Sequence, residues 1–97
     1  MKLLQKENYQ LSNFPTFTAY AKVWNFDATE LDSGKYNVKC LINLFSSQDS
    51  AKNNDGTSFK QTDFYLYDVE NTNLNADYFT SAALAQEEYG DWTEIDV

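Results

Sequence analysis

The chain contains no histidine and no arginine, and only one cysteine, one proline and three glycines in 97 residues. Without histidine it lacks the side chain that shuttles protons near neutral pH and most often ligates metals. Without arginine it lacks the planar fork that grips phosphates and carboxylates in bidentate fashion. A serine or cysteine nucleophile would have no imidazole base, and no Ser-x-x-Lys is present. The expectation is a protein that is not an enzyme and has no cofactor. The single Cys40 excludes an internal disulfide, and its place in an aliphatic run marks it as a small buried hydrophobe. Few prolines and glycines argue against a disordered chain. No stretch has the layout of a signal peptide, and no apolar run approaches the ~20 residues of a membrane-spanning helix. The expected location is therefore the cytoplasm, with later incorporation into a larger assembly open.

What the chain does have is aromatic side chains and negative charge. Seven Tyr, seven Phe and two Trp make 16% of the residues, enough ring area to build a core without disulfide or metal staples. Fifteen carboxylates against seven lysines give a net charge of −8. That field disfavours nucleic acid and anionic membrane surfaces as direct partners; it suits a basic partner, or serves solubility.

Hydrophobic periodicity gives the elements of a single domain spanning residues 1–97. Phe17 to Phe26 alternates, with Phe17, Ala19, Ala21 and Val23 on one face and Tyr20, Trp24 and Phe26 on the other. After a turn at Asp32-Ser33-Gly34, residues Lys35 to Phe45 form a second strand with Val38, Cys40, Ile42 and Leu44 on its dry face. These two strands are expected to pair in antiparallel fashion. Residues 46–58 read as a polar exposed loop. A third strand follows over 59–69, with Phe64 and Leu66 inward and Asp63, Tyr65 and Tyr67 outward. The period then shifts: Asn75 as N-cap, Asp77 in the first turn and Tyr78, Ala82, Ala85 and Tyr89 at helical spacing predict one helix closed by Gly90 in the left-handed region. Trp92 and Ile95 place an edge strand or ordered arm after it, and Tyr9–Pro15 reads as a short strand or lead-in. The fold class is α+β: a small antiparallel sheet or sandwich of three to five strands with one C-terminal helix.

Tests for reactive constellations return little. Asp63, Asp68 and Glu70 cluster near the third strand, but fifteen acids in so short a chain produce such groupings by accident. The run Asn53-Asn54-Asp55-Gly56 fails as a calcium loop, because alignment on its glycine puts Ala51 and Thr62 at ligand positions. No catalytic, cofactor-binding or metal-binding residue is assigned. Tyr20, Trp24, Phe26, Tyr65 and Tyr67 are the candidates for partner binding, since aromatics are enriched at protein–protein contacts. The competing reading of the same side chains is ordinary core.

Several short patterns resemble small proteins of the tail and baseplate gene region of siphophages infecting Gram-positive bacteria. They are Asn8-Tyr9-x-Leu11, Phe17-Thr-Ala-Tyr-Ala-Lys-Val23, the strand end at Leu44-Phe45 and the terminal Glu94-Ile-Asp-Val97. The chain departs from that pattern where Tyr78 is followed by Phe-Thr-Ser. The resemblance implies a non-enzymatic phage protein tied to virion tail assembly or structure, with other proteins, including tail components or further copies of itself, as partners. The alternative from charge and size is a small acidic inhibitor, or DNA mimic, of a nucleic-acid-binding host enzyme. Its acids group only at Glu87, Glu88, Asp91, Glu94 and Asp96.

Overall fold

The central strand of the fold contains the alternating run Phe17–Phe26. In the computed structural model, which describes residues 1–97, it is β2 (Phe17–Glu30), fourteen residues long, which continues through the polar residues after Phe26. It pairs on one side with β1 (Lys2–Tyr9) and on the other with β3 (Tyr36–Phe45). With β4 (Lys60–Val69) outside β3 and β5 (Thr93–Asp96) outside β1, the five strands form one antiparallel sheet in the order β4-β3-β2-β1-β5. The α+β reading therefore holds, and the tail is an edge strand.

Three local expectations change. Residues 2–9, not 9–15, make the first strand. Leu3 and Leu4 are both fully buried, on opposite faces, so the N-terminal segment is covered on both sides and shows no clean alternation. The loop after β3 contains a short helix, α1 (Gln48–Asn53). Ser47 caps it by accepting from the Ser50 N–H at 3.1 Å, and Asn54 ends it in the left-handed region at φ 49°. The C-terminal helix is shorter than its periodicity implied. α2 runs Ala76–Ala82 and is followed by two 3-10 turns, Ala83–Ala85 and Glu87–Tyr89. Gln86 between them is extended (ψ 141°), which breaks the ladder. Gly90 accordingly sits in right-handed space at φ −64° rather than in a left-handed cap. The N-cap expectation holds, since Asn75 Oδ1 accepts from the Tyr78 N–H at 2.8 Å.

Two cores follow from this arrangement. On one face Leu4, Ala21, Val23, Cys40, Ile42 and Leu44 pack under Phe79, Ala83, Tyr89 and Trp92. The alanines at positions 19 and 21 let the C-terminal segment approach the sheet closely. On the other face α1 seals a smaller cluster of Leu3, Phe45 and Ala51, with Tyr20, Trp24, Ile95 and Val97 around it.

The ladder of β2 breaks where β1 runs out. A β-bulge lies between Val23 and Asn25, and such an insertion changes which face the following side chains take. The buried Val23 N–H donates to Thr80 Oγ1 of α2 at 3.0 Å, satisfying a group that would otherwise lie unpaired in the core. Beside it, Lys22 is 1% exposed. Its stem is buried while Nζ pairs with Asp77 and donates to the Lys2 carbonyl at 3.1 Å. The Lys2 N–H also donates to Asp77 Oδ1, at 3.0 Å. Asp77 thus ties α2 to both β1 and β2.

The molecule measures 48 × 25 × 20 Å with a radius of gyration of 13.9 Å, against about 12.5 Å for a compact domain of this length. The excess length is the far end of the β2–β3 hairpin with β4 alongside, which extends past β1, β5 and α1.

Two stability predictions follow. Thr80→Val keeps the shape but removes the acceptor for Val23, and should cost about 1–3 kcal/mol in urea unfolding with faster exchange of the Val23 amide. An unchanged midpoint would show that α2 is held by packing alone. The Asp77 carboxyl lies below its usual range, first through the Lys2 N–H and then through Lys22. A depressed folded-state pKa contributes stability that is present above the unfolded value and lost as pH falls through the folded one. Asp77→Asn should therefore cost about 1 kcal/mol near neutrality, solvent screening of its half-exposed carboxylate limiting the effect. The gap to the native chain should close below about pH 4; a gap that persists in acid would remove the ionic tie.

Candidate functional site

The five aromatic candidates do not form one patch. The bulge after Val23 leaves Tyr20 and Trp24 on the α1 face, and turns Phe26 to the opposite face. There Phe26 stacks edge-on against Phe79, with ring centroids 4.7 Å apart. This corrects the expected common face of Tyr20, Trp24 and Phe26. Tyr20 and Trp24 are half-buried around Leu3 and Phe45. The Trp24 indole donates to the Ala51 carbonyl at 3.1 Å, Tyr20 Oη accepts from Gln5 at 3.3 Å, and Lys22 Nζ lies 5.5 Å from the Trp24 ring centre. Their main work is to seat α1.

Tyr65 and Tyr67 stand differently. They are 52% and 68% exposed, on β4 with the entire strand β3 between them and β2. The far part of this sheet face lies beyond α1, and nothing covers it. Its surface is built from Asp27 and Thr29 of β2, Asn37 and Lys39 of β3, and Asp63, Tyr65 and Tyr67 of β4. A shallow depression of about 160 Å³ runs between Asp27, Thr29, Asn37, Lys39 and Tyr65. Strand alternation dictates this layout: with Phe64 and Leu66 needed by the core, the odd-numbered residues from Gln61 to Tyr67 face water. At its far end β4 carries Asp68 at φ 54°, a residue out of register with Tyr36 and Val38, which lets Val69 return to the core.

Charge is distributed unevenly. Lys2, Lys6, Lys22 and Lys60 pair with Glu94 and Asp96, Asp91, Asp77 and Glu88 respectively, all at the end of the sheet where the helices lie. The protruding end has two loose pairs, Lys35–Glu70 at 3.5 Å and Lys39–Asp63 at 3.8 Å. Asp27, Glu30, Asp32 and Asp68 there have no lysine partner. Segments 25–41 and 63–70 together hold six carboxylates and two lysines, −4 of the total −8. The C-terminal acid group of the sequence is instead largely neutralised, because Glu88, Asp91, Glu94 and Asp96 all face lysines.

The remaining concavities are small. One of about 240 Å³ involves Lys6, Tyr9, Lys60, Glu88, Tyr89 and Trp92, where both lysines are engaged by acids. Burial pushes the Tyr89 phenol up to about 12, and its hydroxyl bonds to Thr62. Burial likewise raises the Cys40 thiol to about 12, so it stays protonated as a core hydrophobe. Asp63, Asp68 and Glu70 do not converge on a cleft, and no three potential ligand side chains gather as a metal site. No helix is long and apolar enough to cross a membrane. Comparison with protein-family models, with curated proteins and with solved structures finds no match.

Alanine substitution should separate the aromatics into two groups. Trp24→Ala should cost about 2 kcal/mol or more by unseating α1. The double change Tyr65→Ala/Tyr67→Ala should leave stability within about 0.5 kcal/mol. Equal losses in thermal unfolding would make the β4 tyrosines structural.

Proposed function

We propose that this chain is a non-enzymatic contact protein, a tail- or baseplate-associated structural or assembly protein of a phage, acting through protein–protein contacts. The observation that carries the contact reading is the uncovered sheet face bearing Tyr65 and Tyr67, set in an end of the molecule with unpaired negative charge. Two rigid rings on a strand can bury large area with little loss of side-chain freedom, which suits them to anchor a partner. The phage context rests on the short sequence patterns at Asn8–Leu11, Phe17–Val23 and Glu94–Val97.

The acidic-inhibitor alternative draws less support. A phosphate mimic needs a row of free carboxylates; the C-terminal group is largely tied to Lys2, Lys6 and Lys60, and the unpaired Asp27, Glu30, Asp32 and Asp68 are divided between the β2–β3 hairpin and β4.

The test is an affinity capture with the tagged full chain from phage-infected cells, read by mass spectrometry, beside the Tyr65→Ala/Tyr67→Ala variant. Tail or baseplate proteins should be recovered by the native chain and lost by the variant. Recovery of a nuclease or polymerase, with affinity collapsing as salt rises, would overturn the reading in favour of the inhibitor.

A further inference from the structure

The outer edge of β4 is the longest stretch of unpaired backbone in the molecule. β4 ends the sheet on its side, and its ten residues hydrogen-bond inward to β3 alone. The opposite edge strand, β5, has four residues, and the free stretch of β2 is the six residues from Asn25 to Glu30. Edge strands are usually guarded by lysines, prolines, bulges or covering segments. β4 has one lysine, Lys60, already drawn to Glu88, and one bulge, at Asp68. The residues between, Gln61 to Tyr67, carry no lysine, proline or bulge, and their one charge is Asp63.

We infer that the β4 edge accepts an extended basic segment of another protein as a sixth strand. This deepens the contact reading above and rests on it. The side chains of β4 specify both faces of such a strand. On the open face Asp63, Tyr65 and Tyr67 stand beside it. A lysine or arginine opposite Asp63 gains a cross-strand ion pair, and one over a tyrosine ring gains a cation–π contact. On the other face Thr62 and Leu66, both half-buried, call for small or apolar side chains. The incoming strand therefore alternates basic and apolar residues. The charge of this end, −4, selects that partner and disfavours a second copy paired through the same edge, which would bring another −4 to it.

The test uses the full chain and a synthetic acetylated ten-residue peptide of alternating lysine and valine, followed by amide NMR and by titration calorimetry. The amides of Gln61 to Tyr67 should shift first. Methylating the peptide's backbone nitrogens along one edge should weaken binding at least tenfold, and a glutamate–valine peptide should not bind. Asp63→Asn should weaken the lysine peptide severalfold without changing the fold. Equal affinity of the methylated peptide would overturn strand addition, as would shifts centred on β2 or β5, no binding at millimolar peptide, or self-association of the chain through β4. A native partner captured equally by Asp63→Asn would also sink the edge while leaving the contact reading intact. Failure to capture any partner at all would count against that reading itself.

Discussion

The interaction on which the rest of this structure depends is the hand-over at Val23. β1 ends there, β2 continues, and a buried backbone N–H loses its ladder partner. Thr80 of α2 accepts it, and Asp77 one turn earlier collects the Lys2 N–H and the Lys22 ammonium. These bonds join residues far apart in sequence and fix where the C-terminal segment lies. They also divide the sheet. On the β1 side it is sandwiched between α1 and the α2 segment; beyond Val23 it loses one cover.

This division gives the molecule two ends with different physical character. At the covered end the lysines are matched with acids, and aromatic rings such as Tyr9, Phe17 and Phe59 pack on one another at 5.4–5.7 Å. At the protruding end the acids outnumber the lysines, and the tyrosines meet water. The same strand alternation that supplies Phe64 and Leu66 to the core sets Asp63, Tyr65 and Tyr67 on the bare face. Core packing and solvent-exposed surface are therefore drawn from alternate residues of one strand, which lets the tyrosines vary without loss of core.

Much of this was legible in the amino-acid order. Alternation marked β2, β3 and β4, the Asn75 cap marked the start of α2, and the outward facing of Tyr65 and Tyr67 followed from Phe64 and Leu66. Other features were hidden for definable reasons. β1 carries Leu3 and Leu4 side by side because both its faces are covered, so period two is invisible. α1 is six residues with one buried side chain, Ala51, too short for helical periodicity to register. The common face assigned to Tyr20, Trp24 and Phe26 failed because a bulge leaves no mark in hydrophobic spacing.

The sequence by itself determined the class of fold: enough aromatic area for a core and alternation for a sheet, in a chain of strong negative charge without histidine or arginine. These are properties of composition and of neighbours along the chain. Which acids are neutralised, which tyrosines are bare and which strand lies at the edge depend on strand order and on contacts such as Lys22–Asp77, separated by 55 residues. Only tertiary structure decides those, because pairing energies depend on distances that close when the chain folds.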